Sequence, residues 1–178
     1  MRKIKVGLID VDGHNFPNLA LMKISAYHKV RGDSVEWWWG WEHYDRVYMS
    51  KVFDSTYTPD MPEPFNAEEI VKGGTGYGLE NKLPDEIEHM YPDYSLYPEL
   101  AKDTAYGFLS RGCPRHCAFC IVGDKEGLAS KKVADLSEWW MGRKMLSCST
   151  LISQLALTAS NYWANYLKAV LGWTSRRG

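Results

Sequence analysis

An α/β fold is predicted from three observations. IKVGLID (residues 4–10) is a continuous apolar run that ends in aspartate, the pattern of a parallel strand buried on both faces. NLALMKISAYHKVRG (18–32) follows with apolar residues at helical spacing and a glycine stop. A polar, proline-punctuated stretch at 79–103 then precedes a fresh strand, TAYGFLS (104–110), and three cysteines crowd into RGCPRHCAFC directly behind it. The expected order is a small sheet layer over 1–78, a linker over 79–103, and a second βα unit from 104 to 147.

The elements follow in turn. The run 4–10 is the first strand. The helix over 18–32 presents Leu19, Met22, Ala26 and Val30 on one face, and Gly32 ends it. SVEWWW (34–39) and DRVYMSKV (45–52) read as strands, rich in residues that suit a pleated surface. The five residues between them (40–44) are too few for a crossover helix, so they form either a hairpin or a parallel pair with a degenerate connection. Residues 54–66 hold three prolines and form a loop. EEIVKGGTGYG (68–78) is a short strand that breaks into glycines, SKKVADLSEWW (130–140) is a short helix stopped by Gly142, and RKMLS (143–147) is a further strand. Alternation along EWWWGWEHY sends Trp37, Trp38, Trp39 and Trp41 to both sheet faces, which suits core and domain packing rather than stacking on a flat cofactor or bases.

Composition narrows the function classes. Of 178 residues 45% are apolar, enough for a real core, and the net charge of −1 lacks the basic excess of a general nucleic-acid binder. The first apolar run is short and meets Asp10 and Asp12 at once, unlike a signal peptide. The chain is therefore expected to be cytoplasmic, with reduced thiols and no membrane span. Clustered cysteines in that compartment point to metal or redox chemistry.

The trio is Cys113-x3-Cys117-x2-Cys120. Soft thiolates on one tight loop select an iron–sulfur cluster, zinc or Cu(I). Three ligands on a four-iron cube leave one iron free to bind a small molecule. The alternative is a Cys3His zinc knuckle completed by His116, or a four-thiolate site completed by Cys148. His116 sits beside Cys117 inside the trio, which makes joint tetrahedral ligation awkward.

With Phe119 just before the last cysteine, RGCPRHCAFC resembles the cluster loop of the radical S-adenosylmethionine enzymes. The wider stretch YGFLSRGCPRHCAFCIVGDKEG is similar to it as well. The resemblance implies the beginning of a partial (β/α) barrel, with the loop at the carboxyl end of its first strand. It implies that Cys113, Cys117 and Cys120 hold a 4Fe-4S cluster whose fourth iron chelates S-adenosylmethionine. Phe119 would pack near the adenine, and Lys125 and Glu126 would be supporting groups or a plain solvated ion pair. The implied chemistry is reductive cleavage to a 5′-deoxyadenosyl radical, using an external electron donor and acting on a substrate the residues do not specify.

Residues 1–78 resemble, more weakly, the Rossmann-like cobalamin-binding domain that often precedes such barrels. Asp12 and His14 echo its loop after the first strand, Ser50 its serine at the end of the third, and Gly73 and Gly74 its glycine pair. Pro17 stands where that family has a glycine, and the unit lacks the full set of crossover helices. We read the unit as a vestigial layer that packs on the barrel rather than as a cobalamin site.

A complete barrel takes roughly 200 residues, far more than Thr104 to Gly178 provides, so a second chain completing it is one expectation. Another comes from the tail: residues 148–178 contain no Asp or Glu. Read one base earlier, Trp173–Thr174 dictates an aspartate codon, and the stretch from Ala164 can encode QLSESGAWVDFTQG. The tail is thus expected to be frame-shifted, non-native sequence in which Cys148 has no role. The alternative is a genuine helix, with Leu151, Leu155, Ala159, Tyr162, Tyr166 and Val170 on one face. Sequencing the locus separates the two.

Overall fold

A computed structural model describes residues 2–13, 15–115, 117–142 and, for the backbone, 145–148. The expectations placed on 149–178 lie outside the described residues. The described chain is mixed α/β and falls into two compact units, residues 1–107 with 134–148, and residues 108–133.

The first unit is built on four parallel strands: β1 (Lys5–Asp10), β2 (Ser34–Trp37), β3 (Tyr44–Ser50) and β4 (Ala67–Gly73), in the order β2-β1-β3-β4. In the registers of the central strands, Asp10 stands beside Ser50 and Ser50 beside Gly73, so these carboxyl ends align. Helix α1 (Leu19–Val30) connects β1 to β2. Asn18 caps it by accepting the Leu21 N–H on its side-chain oxygen, and Gly32 follows at φ +82°.

The connection between β2 and β3 differs from both expected forms. The two strands are parallel, but β1 lies between them. Residues 38–43 make the crossover without a helix, and Trp38 and Tyr44 pack with Ile9, Val47 and Met49 on the face they cover. Six residues suffice because nearly extended backbone spans about 3.3 Å per residue, more than twice the rise of a helix. Strand β2 also stops at Trp37. Trp37 and Trp38 are partly buried against opposite clusters, whereas Trp39 and Trp41 are 61% and 87% exposed.

On the other face Val6 and Leu8 pack with Leu21 and Ile24 of α1 and with Ile87. The helix is turned from its expected setting: Leu21, Met22, Lys23, Ile24, Ser25 and His28 are buried, and Val30 is 78% exposed. Burying the polar members is tolerable because each is bonded. Lys23 reaches Glu88, Ser25 donates to Asp93 at 2.6 Å, and His28 lies 2.7 Å from Asp33 and 3.0 Å from the Tyr48 hydroxyl.

The stretch expected as a linker is packed against this helix. It contains α2 (Asp85–Glu88) and a 3-10 turn at Tyr94–Leu96, and Ile87, Pro92, Tyr94, Tyr97 and Ala101 are buried. Strand β5 (Thr104–Gly107) pairs in parallel with β8 (Met145–Cys148), the further strand expected near 143–147.

In the second unit β6 (Ser110–Arg111) pairs antiparallel with β7 (Lys131–Lys132), and α3 (Val122–Glu126) lies between them. The helix expected over 130–140 does not form. Pairing takes Lys131 and Lys132 into a strand, and Asp135 and Glu138 then close a capping box around only a 3-10 turn, Leu136–Glu138.

Candidate metal centre

The cysteine loop is closed at its base. Val133 N–H donates to the Leu109 carbonyl at 2.9 Å, the β6–β7 pair follows, and Cys113 N–H donates to the Gly127 carbonyl at 3.0 Å. Glu126 fastens the same point from its side chain. One carboxylate oxygen accepts from Arg111 at 3.1 Å and the other from the Gly112 N–H at 3.0 Å. Gly112 sits at φ +93°, and a Cβ there would stand 2.2 Å from the Ala129 carbonyl oxygen, so the approach requires glycine. Glu126 is thus a loop clamp, and its partners Arg111 and Gly112 went unremarked in the sequence. The signal was present: an Arg-Gly step before the first cysteine and an acid in the helix after the last.

Within this frame Cys113 and Cys120 are half-buried, Cys117 is exposed, and all three are free thiols. Cys120 N–H donates to the Cys117 carbonyl at 3.0 Å, which turns the chain between the last two cysteines. Phe119 is 92% exposed. His116 and the Cys148 side chain lie outside what is described. Among the described residues, no group of three or more His, Cys, Asp or Glu side chains is arranged to hold a metal ion. The donor set therefore suits a soft metal or cluster in its chemistry and accessibility, but its thiols are not gathered to a point.

The residues expected from the cobalamin-domain resemblance come together only in part. Asp12, Ser50, Gly73 and Gly74 lie at neighbouring carboxyl ends of the sheet, and His14 is outside the described residues. Ser50 is buried, and its hydroxyl accepts from the Asn18 amide at 2.9 Å. The Asp12 carboxylate accepts the backbone N–H groups of Val52 and Phe53. Gly74, at φ +95°, leaves room for the Lys51 carbonyl oxygen, which a Cβ would approach to 2.2 Å. These contacts give Asp12, Ser50 and Gly74 structural tasks within the layer.

Comparison with protein-family models, curated proteins and solved structures gave no match. Among the described residues no helix is long and apolar enough to cross a membrane.

Proposed function

We propose that this chain is a radical S-adenosylmethionine protein in which Cys113, Cys117 and Cys120 hold a 4Fe-4S cluster. The observation that carries the reading is the Cys-x3-Cys-x2-Cys spacing with Phe119 before its last member. Two structural facts support it. Strand β5 precedes the loop and has a parallel neighbour in β8, as the first repeat of a (β/α) barrel would. The loop is clamped at its neck by Glu126 while its thiols stay accessible.

When bound, the cluster and S-adenosylmethionine supply a 5′-deoxyadenosyl radical, with the electron arriving from an external donor. The chain's own part is to offer three sulfurs, leave the fourth iron open, and present the Phe119 ring beside them. This reading does not require cobalamin, and Ser50, Asp12 and Gly74 have structural contacts of their own at the sheet's carboxyl end.

Anaerobic reconstitution with iron and sulfide tests the proposal. A brown protein with about four irons per chain is expected. A colourless protein that retains one zinc and takes up no iron would replace it with the Cys3His zinc-knuckle reading.

A further inference from the structure

In the strand order β2-β1-β3-β4, β1 leads to its left neighbour and β3 to its right, so the chain reverses direction across the sheet between β1 and β3. Open α/β sheets bind ligands at such a point, in the crevice outside the strand carboxyl ends and beside the first helix's amino end. Here that crevice is bounded by Asp10 at the end of β1, buried to 9% exposure, and by Asn18 at the start of α1.

The place is taken by the chain itself. Tyr97 is only 3% exposed, and its hydroxyl donates to the Asp10 carboxylate at 2.7 Å and accepts the Asn18 backbone N–H. Its ring meets Trp37 edge-to-face, with centroids 5.4 Å apart. A second aromatic contact extends the closure, Phe16 of the β1–α1 loop against Tyr106 of β5 at 5.3 Å. We propose that Tyr97 is an intramolecular ligand: its phenol occupies the sheet's natural binding crevice, which is a site for a planar aromatic hydroxyl closed in cis by residues 94–107. Burial and the Asp10 carboxylate both hold the phenol in its protonated, donating form. This inference stands apart from the cysteine loop and survives or fails without it.

Removing the phenol and returning it as a free molecule is the test. Tyr97→Gly is expected to be strongly destabilised. Added p-cresol should restore its thermal stability saturably, toluene should do so less well, and wild type should gain nothing. Tyr97→Phe keeps the ring and loses only the hydroxyl. Its folding equilibrium constant should fall roughly tenfold to a hundredfold, the cost of a hydrogen bond to a buried charge. Three results would overturn the proposal: a Tyr97→Gly chain that p-cresol does not rescue, equal rescue by toluene, or wild-type stability in Tyr97→Phe.

Discussion

Gly73 and Gly74 adjoin in sequence yet answer to different constraints. A Cβ at Gly73 meets nothing within 4 Å, whereas at Gly74 it would collide with the Lys51 backbone at a positive φ. Gly74→Ala should therefore cost roughly 2 kcal/mol or more, and Gly73→Ala should stay within about 0.5 kcal/mol, both read by urea unfolding. His89 and Glu138 supply a pH probe. The imidazole lies 2.6 Å from the carboxylate, and that hydrogen bond raises its pKa above the usual value against a smaller opposing effect of burial. Its contribution to stability is complete below about pH 6.5 and is lost as pH rises through the folded-state pKa. In Glu138→Gln, the NMR titration midpoint of His89 should fall back to about 6.5. The glutamine oxygen can still accept the Asp135 N–H, so the cap survives.

At the level of elements, α1 shows what sequence periodicity carries and what it misses. The helix and its ends were legible, because Asn18 and Gly32 mark them by local chemistry. Its buried face was not. Of the stripe Leu19, Met22, Ala26 and Val30 only Met22 is buried, and burial extends over Leu21, Ile24, Ser25 and His28 instead of reaching Val30. Two polar members of that face are compensated by Glu88 and Asp93, partners distant in sequence that no local pattern reveals, and His28 by Asp33 just past the helix end. The same limit hid β1 between β2 and β3, and hid the packing of residues 79–103. Leu21→Ala should cost about 2–5 kcal/mol, while Val30→Ala should change stability by less than about 0.5 kcal/mol. A reversed ranking would restore the periodicity-based face.

For the whole molecule, the two units divide the labour. The parallel layer is filled and bonded by its own residues out to the sheet's carboxyl end, and the cysteine unit keeps its reactive groups within reach of solvent. The trio was legible as a pattern, three thiols within eight residues, the spacing that soft-metal ligation uses. The clamp was less so, because Glu126 is joined to Arg111 and Gly112 only when β6 and β7 pair. Glu126→Gln should loosen the loop neck and make a reconstituted cluster less durable in air than wild type, as followed by bleaching.

The most direct measurement is iron content per chain after anaerobic reconstitution of four single variants, Cys113→Ala, Cys117→Ala, Cys120→Ala and Cys148→Ala. The first three should each lose most of their iron, and Cys148→Ala should keep the wild-type complement of about four. Wild-type iron in any of the first three, or its loss from Cys148→Ala, would contradict a cluster held by the three loop thiols.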